Sequence, residues 1–245
     1  MAHAVIFGGT KGLGKVLARE LKKRGDEVSV VSRAAPPEES KIEGCQYFAA
    51  DISSVADVLP SLNDAIALAG NINYLIFCQR YRGSSDSWAG EIEVSLSGPK
   101  KIVEAMQDSF DISGDRAIVF VSSVFGDKIG EGQDLSYHIG KAGINHMSSY
   151  FAVNLGRKGI RVNSVTPFTF LKDESKDFYI NNHELMDLYK TIDPLGRIGT
   201  AEDSSNLIQF LCSPAAQFIN GQNIYVDGGL SLVWPETLAR QLKSI

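Results

Sequence analysis

Tyr137 and Lys141 stand four residues apart in SYHIGKAG, the spacing that puts two side chains on one helical face. A free phenol titrates near about 10, too high for efficient proton transfer at neutral pH. An ammonium beside it favours the phenolate, so a tyrosine held there is equipped to exchange a proton with a carbonyl or an alcohol. Upstream, the apolar run AIVFV leads into SSVFG, where Ser123 is placed to hydrogen-bond the oxyanion such a reaction develops. Taken alone, Tyr and Lys at this spacing are a common helix-surface pair. Their setting decides the reading.

That setting begins at the first loop. FGGTKGLGKVLA puts Gly8, Gly12 and Gly14 between an apolar run and an amphipathic one, with Thr10, Lys11 and Leu13 completing the turn. Glycines here let the backbone approach a pyrophosphate, which rests on the helix N-terminus. At the end of the second apolar run an acidic residue would receive an adenosine ribose 2′-hydroxyl. Ser32 and Arg33 stand there instead, and Lys11 sits in the glycine loop. Two cations and no carboxylate suit a 2′-phosphate, which favours NADP(H) over NAD(H).

The elements that must position these groups are legible as an alternation. Short β-branched runs at 4–7, 27–31, 46–49, 74–77, 117–121, 160–165 and 223–226 alternate with helical patterns at 55–69, 91–106, 137–155 and 201–211. Leu13, Val16, Leu17 and Leu21 mark a first helix, with Gly25 as its C-cap. This pitch predicts βαβ units and an α/β fold: a single Rossmann-type domain over 1–245, a doubly wound parallel sheet of about seven strands with helices on both faces. The aromatic-rich stretch 168–193 breaks the alternation where such sheets bind ligands, and its Phe168, Phe170 and Phe178 are candidate pocket walls. Residues 234–245 form a C-terminal extension, with Pro235 suited to a first helical turn.

With 44% hydrophobic and 22% charged residues, the 245-residue chain has a globular balance that excludes disorder and coiled coil as descriptions of the whole. A net charge of −5 argues against a nucleic-acid partner. Cys45, Cys78 and Cys212 lack paired spacing, so neither a disulfide framework nor a metal site is expected. No apolar run approaches a membrane span or a signal peptide, and a cytoplasmic protein is the expectation.

In these motifs the chain resembles the short-chain dehydrogenase/reductase family. The resemblance runs through GGTKGLG, ADI at 50–52, the Ser123–Tyr137–Lys141 set and IRVNSVTP at 160–167. It ends in PLGRIGTAEDSSNLIQFLCSPAAQFINGQNIYVDGG, which looks like the C-terminal third of 3-oxoacyl-carrier-protein-reductase-type members. It implies an NADP(H)-dependent oxidoreductase acting on a small carbonyl or alcohol, assembled as a homodimer or homotetramer. Asp51 and Ile52 would flank the adenine, Cys78 would lie in the cofactor region, and Lys141 would also hold the nicotinamide ribose. The segment after Pro167, with Phe170, would meet the carboxamide.

The chain also departs from the family. Phe77, Cys78, Gln79 and Arg80 replace an Asn-Asn-Ala-Gly stretch, and Ser95 aligns with the catalytic asparagine thought to hold a relay water. Pro167-Phe168 replaces Pro-Gly. The Ser123–Tyr137 interval is one residue longer than the commonest spacing, which predicts a bulge in 125–134, and His138 is expected to point off the catalytic face. Two readings follow. In one, the chain is an active reductase with a reshaped pocket, where Arg80 and Arg82 bind an anionic group on substrate or cofactor. In the other, it is a catalytically impaired relative serving as a nucleotide-binding or regulatory subunit. Retention of Ser123, Tyr137 and Lys141 favours the first, since folding alone requires none of them.

Overall fold

Seven strands form one all-parallel sheet in the computed structural model, which describes residues 1–83, 87–172 and 176–243. The strands are β1 (His3–Phe7), β2 (Glu27–Ser32), β3 (Gln46–Ala49), β4 (Tyr74–Phe77), β5 (Ala117–Val121), β6 (Arg161–Pro167) and a last strand, β9 (Asn223–Val226), in the order 3-2-1-4-5-6-9. A separate two-residue ladder pairs β7 (Phe170–Leu171) with β8 (Gly199–Thr200). The helices are α1 (Gly12–Arg24), α2 (Val55–Ala69), α3 (Ser87–Ile92), α4 (Gly98–Met106), α5 (Leu135–Leu155), α6 (Lys176–Asn181), α7 (His183–Ile192), α8 (Ala201–Leu211) and α9 (Pro235–Lys243).

Side chains alternate between two cores along each central strand, the period-2 signature of a sheet covered on both faces. Val5, Phe7, Leu75, Phe77, Ile118 and Phe120 face the α2–α4–α5 layer. Ala4, Ile6, Tyr74, Ile76, Ala117 and Val119 face α1 and α8. At the carboxyl end of the first face three rings stack across neighbouring strands: Phe7 on Phe77 at 5.1 Å, and Phe77 on Phe120 at 4.9 Å. Phe77, polar in the family pattern, is therefore a core residue here.

The polar strand β6 is also fully buried, because the 211–223 segment satisfies it. Asn163 donates to the Ile219 carbonyl and accepts from the Gln222 N–H, while Ser164 donates to Asn223.

One expected helix is interrupted. The pattern at 91–106 resolves into α3, a π-helical segment Glu93–Ser97, and α4. Pro99 has no N–H to return to the Ser95 carbonyl one turn back, so the ladder cannot close regularly there. The stretch 168–193 holds β7, α6 and α7, and its residues 173–175 lie outside the described set, as do 244–245 of the C-terminal extension. Among the described residues no helix is long and apolar enough to cross a membrane.

Candidate active site

A cleft of about 1350 Å³ opens where the chain leaves the carboxyl ends of β1 to β6, at the switch in strand order. Its cofactor-side wall begins at the glycine loop. Gly8 takes φ +81° with its Cα against the Gln79 backbone, where a side chain would collide as well as be strained. The loop delivers the N-terminus of α1 to the cleft; no side chain caps it and its first turn has no acidic residue. Thr10, Lys11, Gly12, Leu13 and Gly14 all line this end.

Ser32 and Arg33 face the same corner from the end of β2, with the Ser32 hydroxyl donating to the Ala34 carbonyl. Asp51 and Ile52 form the adjacent wall, where Asp51 accepts from the Ser53 N–H and hydroxyl. Cys78 lies at the end of β4, and burial pushes its thiol up to about 12, so it is a neutral wall residue.

At the other end α5 presents Tyr137 and Lys141 to the cleft, one turn apart. The Lys141 Nζ donates to the Val121 carbonyl at 3.0 Å and stands 5.5 Å from the Tyr137 ring centre. Ser122 donates to the Lys141 carbonyl, fixing that turn of α5 to the end of β5. Burial is the largest influence on the Lys141 ammonium and brings it down to about 8; Glu91 favours the charged form and Arg80 opposes it. Ser123, nearly buried, lines the cleft beside the pair, its Oγ accepting from the Phe125 N–H at 3.3 Å.

The 123–137 interval contains a 3₁₀ turn at Val124–Gly126 and a loop held from α5 by His138. The His138 Nε2 accepts from the Gly130 N–H, which leaves the proton on Nδ1 to reach the Asp134 carbonyl. The ring packs 5.4 Å from Phe125, away from the cleft, so His138 ties the loop down.

A family model described as enoyl-(acyl carrier protein) reductase matches residues 8–231. The chain belongs to the short-chain dehydrogenase/reductase family. It is 27% identical to a 3-oxoacyl-[acyl-carrier-protein] reductase of Staphylococcus aureus, across 93% of this chain and 97% of that one. It is also 27% identical to a tropinone reductase homologue of Arabidopsis thaliana, across 94% and 90%. A short-chain type dehydrogenase/reductase from Mycobacterium ulcerans superposes with a TM-score of 0.82 at 25% identity, covering 94% of this chain and 90% of that one. The family is one of NAD(P)(H)-using oxidoreductases.

Against that family pattern, most of the residues expected at the site of this dehydrogenase/reductase meet in one cleft. Arg80, Arg82, Pro167, Phe168 and Phe170 line it with those already described. Two do not. Phe178 is 63% exposed and outside the wall, and its neighbour Tyr179 is the aromatic of α6 that faces in. Ser95 is 1% exposed, behind the wall, with its hydroxyl donating to the Glu91 carboxylate. Two polar groups add to the set. Gln79 donates to the Val94 carbonyl and leaves its own buried Oε1 without a partner among the described residues. Lys172 lies 5.0 Å over the Phe170 ring at the substrate end.

Proposed function

We propose that this chain is an NADP(H)-dependent oxidoreductase that interconverts a carbonyl compound and a secondary alcohol, with Tyr137 moving the proton. The observation that carries this is the placement of Tyr137, Lys141 and Ser123 on one cleft with the glycine loop. The cleft suits a dinucleotide. Its volume exceeds the ~300–1000 Å³ of ordinary small-ligand sites, and the uncapped start of α1 is a ready anion site. Lys11 and Arg33 hold a 2′-phosphate at the corner where β2 offers no carboxylate, and Asp51 and Ile52 border the adenine. A bound nicotinamide supplies or takes the hydride.

In the reduction direction the Tyr137 hydroxyl gives its proton to the carbonyl oxygen, and the Ser123 hydroxyl donates a hydrogen bond to the same oxygen as charge develops on it. Lys141, as an ammonium, offsets the charge left on Tyr137. Arg80 and Arg82 recognise an anionic group on the substrate, and Phe168, Phe170 and Tyr179 exclude water from its apolar part. Leu135, Ile139, Tyr150 and Val153 leave an exposed apolar stripe along α5, which supports assembly as a homodimer or homotetramer.

The deciding experiment is Tyr137→Phe. It is expected to lower turnover of carbonyl compounds by about 10³-fold while the thermal shift on adding NADPH is retained. Turnover that survives the substitution refutes the assignment. If the unaltered chain binds NADPH but oxidises none of it across aldehydes, ketones and 3-oxoacyl compounds, the impaired-relative reading stands instead.

A further inference from the structure

Glu91 lies in the last turn of α3 and is 4% exposed, a carboxylate taken almost wholly out of water. Its Oε1 accepts from the Ser95 hydroxyl at 2.5 Å, across the start of the π-helical segment. The same oxygen rests against α5 at Gly140, where a methyl group would stand 3.2 Å away and the Glu91 Cγ 3.3 Å away. Alanine there would press on the carboxylate; glycine lets α3 and α5 close together. The residue after Gly140 is Lys141, the buried ammonium of the cleft. The Lys141 Nζ itself donates to the Val121 carbonyl, so the Glu91 carboxylate faces it as a second buried charge of opposite sign on the other side of the α3–α5 contact, not as a direct ion pair. Buried charges of opposite sign offset each other's desolvation, and removing one leaves the other less compensated.

We propose that Glu91 is a positioning residue that holds Lys141 as an ammonium across the α3–α5 contact, with Ser95 fixing the direction of its carboxylate. This rests on the reading of Tyr137 and Lys141 as the proton-transfer pair. It also gives Ser95 a role that does not require it to face the cleft. The charged and titratable groups around Lys141 set the balance. From α3, Glu91 favours the ammonium; from the chain after β4, Arg80 opposes it and the Cys78 thiol stays neutral; from α5 itself, Tyr137 stands one turn away. Burial also opposes the ammonium, so without Glu91 both major remaining influences act in one direction.

The test reads Lys141 directly. In protein carrying ¹³C-labelled lysine, the Cε resonance missing from Lys141→Arg is that of Lys141, and its pH titration is followed by NMR without any substrate. Glu91→Gln keeps an acceptor for Ser95 and removes the charge, and is expected to move the Lys141 midpoint down by about one pH unit. Ser95→Ala leaves the charge but frees it to turn, and is expected to move the midpoint the same way by less. Should Glu91→Gln fail to fold, Ser95→Ala decides the question alone. A midpoint that stays in place in the folded variants overturns the proposal. Because no turnover is needed, an enzyme inert on every carbonyl offered still answers for Glu91. An active one with an unmoved midpoint overturns the Glu91 role and leaves the reductase reading intact.

Discussion

The guanidinium carbon of Arg80 lies 5.1 Å from the centre of the Tyr137 ring, on the cleft that the ring faces. The contact places a fixed positive charge on the ring proposed to carry the proton, and Arg80 itself remains exposed. A carbonyl compound carrying a carboxylate satisfies both. Arg80→Gln is expected to lower kcat/KM about thirtyfold for such an acid, the worth of a charge-assisted hydrogen bond of about 2 kcal/mol, and to leave the matching methyl ester nearly unchanged. Equal losses on acid and ester would assign Arg80 to Tyr137 or the cofactor instead.

Lys11 and Arg33 make cofactor choice measurable. If Lys11 and Arg33 bind the 2′-phosphate as proposed, the double variant Lys11→Ala, Arg33→Ala is expected to weaken NADPH binding by at least tenfold, with NADH little affected. Isothermal titration of both cofactors checks it. An NADH affinity equal to that of NADPH in the unaltered chain contradicts the reading at once.

The depressed Lys141 ammonium predicts two pH effects of known sign. Turnover falls on the alkaline side as pH rises through about 8, where the folded-state ammonium is lost. Between about 8 and the ordinary 10.5 the unfolded chain binds the proton that the folded chain has released, so this group adds stability as pH rises. Below about 8 its burial cost is constant. The Tm of the unaltered chain, measured against Lys141→Met, is therefore expected to be flat from pH 6.5 to 7.5 and to gain on the variant from 8 to 10. A difference independent of pH across that range refutes the assignment.

The sheet was readable because its strands are apolar on both faces, as in AIVFV, and because glycine and helical spacing mark each crossover. The Tyr137–Lys141 pair was readable for the same reason: one turn of one helix contains both. What escaped depends on contacts between elements. Glu91 in the linear chain is an acid on a helix and reads as solvated; only the approach of α5 at Gly140 buries it. The interruption at Glu93–Ser97 was signalled by Pro99, yet the pattern on either side stays helical. Phe178 and Tyr179 are adjacent in a short helix without a periodic apolar face, so nothing local tells which ring turns inward. The apolar run Tyr74–Phe77 marks Phe77 as a strand residue, but the register that lays it between Phe7 and Phe120 belongs to three strands at once.

That stack of rings restricts what position 77 can hold. Each ring ends its strand's face just below the cleft, and each touches a neighbour on the next strand. Placing the family pattern's asparagine at 77 alone would bury an amide between two aromatic faces, without a partner for its donors or its oxygen. Phe77 is thus held by both neighbours: a polar residue at 77 requires a matching change at Phe7 or Phe120, whereas the loop from Cys78 to Arg82 lies outside the stack.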